Sequence, residues 1–407
     1  MTTEPSSGAV RAVAPLFVLS IAGIMASALF QIMVIRALGP ASFGILAAYL
    51  ALINVAAIGS SAVRNSVAVG VARVDLHRAG ARDRTQLEAL TYGGVFAVVV
   101  VVLLLGGAYP SAVGGIFVLA AVIPYFVFAR AQGLMQGAGR VARVLVWSTA
   151  AQLAQLLLAW LVLSAQLGWL GVLASTGLVA VATGVGASFD ARRLSLVSAA
   201  RPFAPITVRA LVITLAFSWL ISMDVSWVRL WSDDTTAGQY SAATTIVKMA
   251  FLVPTTLALY LLPRFAHNVD NRRFQVRAVA WSMAAAGLGA IGLTGVLALW
   301  PDLLELVLGE KYAGLGALTL AMSLAFLPWI LSQTLVTQLT TRGSRLMMWQ
   351  LVCAVAIQPA LAWLVLPDLS AWILAQGALG LCLLVGGLGA FRRILRAGEA
   401  TQAPPAR

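Results

Sequence analysis

Long, unbroken apolar runs joined by short arginine-bearing connections make up most of this chain. About 20 apolar residues in a helix cross the hydrocarbon core of a bilayer. Runs of that size fall at about 14–36, 43–63, 88–108, 113–134, 144–165 and 169–188. A second set follows at about 208–230, 239–262, 277–300, 315–337, 347–366 and 371–391. Strands of a membrane barrel would alternate apolar and polar positions. These runs do not alternate, so the pattern predicts helices, neighbouring ones pairing as antiparallel hairpins where the connection is short. The first run is longer than a signal-peptide core and no small-residue cleavage pattern follows it, so it reads as a retained helix.

The basic residues alternate in a second, coarser pattern. One set of connections carries Arg64, Arg73, Arg78, Arg82 and Arg84, then Arg140 and Arg143, then Arg192, Arg193, Arg201 and Arg209. The same side continues with Arg264, Arg272, Arg273 and Arg277, with Arg342 and Arg345, and with Arg11 and Arg392, Arg393, Arg396 and Arg407 of the tails. The opposite connections hold little more than Arg36, Arg229 and Lys311. Cytoplasmic loops are the arginine- and lysine-rich ones. An even number of spans with both termini cytoplasmic follows, in the cytoplasmic (inner) membrane.

Composition agrees with lipid as the solvent. Of 407 residues, 61% are hydrophobic and 10% charged, against about a quarter charged in soluble domains. A formal charge of +13 would suggest nucleic acid in a soluble protein. Here it sets topology and attracts anionic headgroups, and no nucleic-acid partner is expected. Cys353 and Cys382 lie in apolar runs and His77 and His267 in basic loops. No disulfide framework or metal-ligand spacing results, and neither metal nor cofactor is expected.

The two sets of six runs resemble each other. The fourth carries Ile123-Pro124-Tyr125 and ends in Gly137-Ala138-Gly139-Arg140; the tenth carries Leu327-Pro328-Trp329 and ends in Arg342-Gly343-Ser344-Arg345. Arg36 precedes Phe43-Gly44, and Arg229 precedes Gly238-Gln239-Tyr240. Two parallel six-helix repeats would be related by an axis along the membrane normal. The expected organisation is a tail at 1–12, an N-terminal lobe at 13–206, a C-terminal lobe at 207–391 and a tail at 392–407.

The stretch Arg36-Ala-Leu-Gly-Pro-Ala-Ser-Phe-Gly44 resembles the first outer hairpin of bacterial polysaccharide flippases of the multidrug/oligosaccharidyl-lipid/polysaccharide exporter superfamily. Leu308-Gly309-Glu310-Lys311-Tyr312 is similar to that family's Gly-Glu-x-Tyr segment before helix 10, and Arg64 and Asp224 match positions where such proteins often carry charge. The hairpin motif has a local physical account: Gly and Pro fix a tight turn, and Phe43 can anchor at the interface. The resemblance covers the whole chain. It implies a MATE-like fold of two six-helix lobes related by a pseudo-two-fold axis. It also implies movement of an undecaprenyl-diphosphate-linked oligosaccharide between leaflets, beside glycosyltransferases and a polysaccharide polymerase.

Ionisable residues inside spans cost about 2.5–3.5 kcal/mol each at mid-helix on insertion scales, so the few present are informative. Arg130, Asp224 and Lys248 are the clearest, with Arg36, Arg64 and Arg229 nearer helix ends. At about 1.5 Å rise per residue, Asp224 and Lys248 fall at similar depths and can pair across a hairpin. Such a pair either couples an ion to lobe movement or statically orients two helices. Arginine suits a lipid diphosphate because its planar fork donates two parallel hydrogen bonds. Arg36, Arg64 and Arg130 are the headgroup candidates, lining a cavity between lobes; the alternative for each is snorkelling to the interface. Gln31, Asn54, Gln132, Gln155, Gln333 and Gln358 can either bond sugar hydroxyls or join helices. Pro124, Pro254, Pro328 and Pro359 predict kinks.

No GxxxxGK[ST] phosphate loop is present, so transport would draw on an ion or substrate gradient rather than on nucleotide bound by this chain. A MATE-like exporter of drugs or other amphipathic solutes is one alternative, although cationic groups outnumber the intramembrane carboxylate Asp224. A membrane polymerase or ligase is another; the longest outer connection, around Trp300 to Gly314, shows no paired-carboxylate spacing. A scaffold without transport is a third. The sequence favours a transporter that is not an enzyme.

Overall fold

A computed structural model describes residues 7–72, 85–194 except 108, 205–251, 254, 257, 271–300 and 302–402. The described residues are helical throughout, apart from turns. The helices are α1 (Ser7–Leu38), α2 (Pro40–Gly59), α3 (Ser61–Ala72), α4 (Thr85–Leu105), α5 (Ala112–Gly137), α6 (Val141–Ser164) and α7 (Gly168–Ala191). They continue with α8 (Pro205–Ser222), α9 (Asp224–Trp231), α10 (Asp234–Lys248), α11 (Arg272–Leu299), α12 (Leu303–Leu308), α13 (Leu315–Thr341), α14 (Arg345–Val365) and α15 (Leu369–Gln402). Among the described residues, ten spans are long and apolar enough to cross a bilayer, and α8 with α9, taken together, makes an eleventh bent by 41°. The eighth expected run, 239–262, is represented by α10 and a 3₁₀ turn at Met249–Phe251; its remainder lies mostly outside the described residues. Arg73, Arg78, Arg82, Arg84, Arg201, Arg264, His77 and His267 also lie outside them.

The chain divides into two compact units. One comprises Met1–Leu38 with Leu52–Phe203, the other Gly39–Ala51 with Ala204–Arg407. Helix α2 is thus shared, its first part belonging with the second unit. In the first unit α5 packs on α3, α4 and α7, and α6 packs on α1 and α7. In the second, α13 packs on α10, α11 and α15, and α14 packs on α8 and α15. The order of packing is the same in each six-helix set, as a duplication requires.

Local details repeat too. Pro124 and Gly139 are fifteen residues apart, as are Pro328 and Gly343. Both glycines have positive φ, +74° and +56°, and terminate α5 and α13 in the same way. Gly139 N–H donates to Gln136 and Arg140 N–H to Met135; Gly343 N–H donates to Thr340 and Ser344 N–H to Leu339. That pair of reverse bonds satisfies the last helical carbonyls, and a left-handed glycine permits it.

Small residues govern the close helix contacts, as lipid-embedded packing demands. A Cβ on Gly133 would lie 2.5 Å from the Arg64 carbonyl, and one on Gly137 2.6 Å from the Ala68 carbonyl. These two glycines, four residues apart on α5, let α3 approach to backbone contact. Outward faces stay apolar: Trp281, Leu288, Trp349, Trp363 and Leu374 are exposed, where a soluble protein would carry charge. Cys353 and Cys382 are exposed on the same kind of surface. Phe43 does not serve as an exposed anchor; it is buried in the core.

Candidate functional site

The second unit holds the most developed polar site. The seventh span is broken: α8 ends at Ser222 and α9 begins at Asp224, so the carboxylate occupies the first position after the bend. Asp224 is fully buried. Its Oδ1 lies 2.7 Å from Lys248 Nζ at the end of α10. Tyr240 OH donates to Oδ2 at 3.2 Å and itself accepts from Trp372 Nε1 at 3.1 Å. Both carboxylate oxygens are therefore engaged. Lys248 keeps 23% of its side chain exposed and stands 5.5 Å from the Phe326 ring centroid, within cation–π range. The pairing anticipated from depth along the hairpin is present.

A glutamine braces the bend. Gln358 Nε2 donates to the Leu220 carbonyl at 2.8 Å, and Gln358 Oε1 accepts from Trp227 Nε1 at 3.4 Å. One side chain of α14 thus reaches both halves of the broken span, which is how side-chain insertion stabilises a kink. Beside it, Trp329 Nε1 donates to the Gln376 carbonyl at 2.9 Å, and Gly380 leaves room for that indole. The expectation for Gln358 resolves to helix joining. So do those for Gln132, which bonds Ser148, and Gln155, which bonds Thr176. Asn54 is exposed, and Gln31 and Gln333 are partly buried.

The first unit separates its charges differently. Arg130 is buried, and its Nε donates to Thr85 at the start of α4 at 2.9 Å. Glu88 is buried one turn further along α4. Arg64 sits on α3, four residues before the inner end of one continuous span, Pro40–Ala68. The backbone of Arg64 lies against Gly133, which shares a face of α5 with Arg130. Its side chain is partly buried, and Nε is buried without a hydrogen-bond partner among the described residues. Arg36 is exposed in the last turn of α1. In the second unit, by comparison, Arg229 forms an ion pair with Asp234 at 2.7 Å. At the arginine-rich end of the first unit, Arg143 and Asp190 pair, and Trp147 Nε1 donates to the same carboxylate at 3.1 Å.

Asp233 caps α10, accepting from the N–H groups of Thr235 and Thr236 at 3.0 Å each. The Thr236 hydroxyl, followed by these backbone donors, holds its carboxyl below the usual carboxylate range. Near the same connection, burial pushes the Tyr312 phenol up.

Several of these residues escaped sequence reading. Glu88 opened a predicted span, where a carboxylate reads as first-turn surface. Tyr240 and Trp372 read as ordinary aromatic residues, and only the third dimension brings them to Asp224. Among the described residues, no cluster of His, Cys, Asp or Glu could hold a metal ion.

No protein-family model matches the sequence, and no curated protein matches it. Solved structures share the fold. A multidrug resistance MATE family transporter of the MOP superfamily, in its inward-facing conformation, superimposes with a TM-score of 0.65 at 12% identity, over 93% of this chain and 96% of that one. A MATE protein in complex with MaD5 gives 0.66 at 13% identity, over 96% and 97%. The lipid II flippase MurJ in an inward closed conformation gives 0.58 at 11% identity, over 96% and 94%. The chain therefore has the two-lobed, all-helical MATE-like fold.

Proposed function

We propose that the protein is a secondary transporter that flips an undecaprenyl-diphosphate-linked oligosaccharide across the cytoplasmic membrane. The observation that carries this reading is Arg64, a cation inside a membrane span whose buried Nε lacks an acceptor among the described residues. Keeping an unsatisfied guanidinium N–H in an apolar bundle is costly; an anionic headgroup would remove the cost. Arg36, exposed at the end of α1, is a second diphosphate contact in this reading. Arg130 joins them through position: its bond to Thr85 fixes α4 on α5, and α5 carries the Arg64 backbone at Gly133. The outer-hairpin resemblance and the fold shared with a lipid II flippase support the same choice.

Energy would enter through the second unit. A proton on Asp224 would remove the partner of Lys248 and loosen α10 from α9, converting an ion gradient into helix movement. The protein would lie in the inner membrane with both termini cytoplasmic, beside the polymerase and glycosyltransferases that use the same lipid. The competing reading is a MATE-like exporter of amphipathic solutes, favoured by the multidrug MATE structures and by the second intramembrane carboxylate, Glu88.

The deciding experiment reconstitutes the purified protein and scores leaflet movement of a labelled polyprenyl-diphosphate sugar, with and without a pH gradient, beside efflux of a cationic dye. Movement of the lipid that is lost in Arg64→Ala supports flipping. Dye efflux with no lipid movement selects the exporter.

A further inference from the structure

The arginine-rich end of the first unit carries a braced cation at the edge of an apolar surface. Arg143 and Trp147 lie one turn apart on α6, and Gly186 and Asp190 one turn apart on α7, so each pair shares a helix face. Gly186 seats the indole: a Cβ there would lie 2.5 Å from Trp147 Cη2. The seated ring donates its Nε1–H to Asp190 Oδ2 at 3.1 Å, while Arg143 Nη1 bonds Oδ1. Both carboxylate oxygens are thereby engaged. Arg143 is the more exposed member, with 50% of its side chain accessible against 28% for Asp190.

This arrangement fixes the guanidinium by one corner. Nη1 is committed to Asp190, and the Nε–Nη2 edge has no partner among the described residues. Such an edge donates two parallel hydrogen bonds to a phosphate. Holding Arg143 in place beforehand removes ordering entropy that a free surface arginine would lose on binding. Further positive charge stands beside it: Arg140 precedes α6, and Arg192 and Arg193 follow α7, all three exposed. Asp190 is the only acidic residue between Glu88 and Asp224 in the chain, so its single charge offsets one arginine of the four.

Next to these cations the exterior is apolar. Val146 follows Arg143 by three residues on α6, and Val185 and Phe189 lie one turn apart on α7; all three are more than half exposed. At about 100° per residue, Val146 is turned about 60° from Arg143, and Phe189 about 100° from Asp190. Because α6 and α7 run antiparallel, both turns point to the same side of their seam. A phosphate on the arginines would therefore leave its acyl chains along Val146, Phe189 and Val185.

We propose that this end of the α6–α7 pair is a binding site for an anionic phospholipid of the adjoining leaflet, its phosphate held by Arg143 and Arg193. The excess of positive charge selects an anionic headgroup over a zwitterionic one. The inference lies within the first unit and stands whatever the cargo is.

The test measures binding of phosphatidylglycerol to the purified full chain in detergent by native mass spectrometry. One lipid is retained per protein, and Arg143→Gln with Arg193→Gln weakens its apparent Kd about tenfold. Arg392→Gln with Arg396→Gln, which removes the same charge from exposed residues of α15, leaves the affinity unchanged. Asp190→Asn separates a built site from diffuse attraction. It makes the protein more positive yet leaves one acceptor where two donors converge, and binding weakens about threefold. Tighter binding in Asp190→Asn overturns the proposal, as does an equal loss in the two double variants. Phosphatidylcholine bound as tightly as phosphatidylglycerol overturns it too, by removing headgroup charge from the recognition. Preference for a polyprenyl diphosphate over phosphatidylglycerol overturns it as well, by making this flank a contact for cargo.

Discussion

The two six-helix units repeat one packing order and differ in how they treat charge. The second unit neutralises its own: Asp224 meets Lys248 at 2.7 Å, and Tyr240 and Trp372 complete the shell. The first places Arg64 in the membrane span with Nε lacking a partner among the described residues. Under the proline alignment, Arg130 in α5 falls at the position of Thr334 in α13, six residues beyond each proline. Both positions bond the preceding long helix, Arg130 to Thr85 and Thr334 to Ser282. The corresponding contact is thus made with different chemistry in the two units, a cation in one and a neutral hydroxyl pair in the other. The lesson is a division of labour: a self-contained ion pair in one repeat and cationic character in the other.

The largest expected effect comes from unpairing the second unit. Lys248→Met leaves Asp224 buried without its partner, and breaking a buried pair costs about 3–5 kcal/mol. Thermal unfolding of the purified protein should show a large loss, and Asp224→Asn combined with Lys248→Met should recover most of it. A double variant as unstable as Lys248→Met alone would mean that the pair is not the source.

Next comes the α3–α5 contact of the first unit. Gly133→Val places atoms on the Arg64 carbonyl, and overpacking of this kind costs about 1–3 kcal/mol. The matched position in the second unit is already Thr337, so Thr337→Val should change the melting temperature little. Equal losses at both would show that the units pack this face alike.

A smaller effect is expected from the aromatic shell. Trp372→Phe removes the donor to Tyr240 OH, a loss of about 1 kcal/mol, while leaving the Asp224–Lys248 bond intact. By contrast, Arg64→Ala in the first unit should leave the melting temperature within about 0.5 kcal/mol of the parent and abolish lipid movement. Arg64→Ala with reduced stability and full transport would reverse the assignment of roles between the units.

The smallest effect concerns the cap of α10. Because the Asp233 carboxyl is held below its usual range in the folded protein, its contribution is present above the unfolded value near 4. It disappears as pH falls through the lower folded value. Hydrogen exchange in the first turn of α10 should quicken at that acid end, and Asp233→Ala should exchange quickly at every pH. An unchanged exchange profile in the variant would remove Asp233 as the cap.

What could be read from the sequence was whatever depends on counts along the chain. Continuous apolar runs fixed the helical class and nearly every span, because the requirement to satisfy the backbone inside lipid leaves few other structures. The repeated Pro124–Gly139 and Pro328–Gly343 interval was visible as a duplication, and the 24-position separation of Asp224 and Lys248 sufficed to show that they can pair, since depth along a helix is arithmetic. Only the tertiary structure decided which helix faces meet. It placed a bend at Asp224, put Gln358 across it, buried Glu88 and Phe43, and gave the first half of α2 to the second unit. In spans that are apolar all round, no amphipathic stripe marks the inward face. Rotation about each helix axis is therefore set by glycine contacts and single buried hydrogen bonds, and these exist only once the helices are brought together.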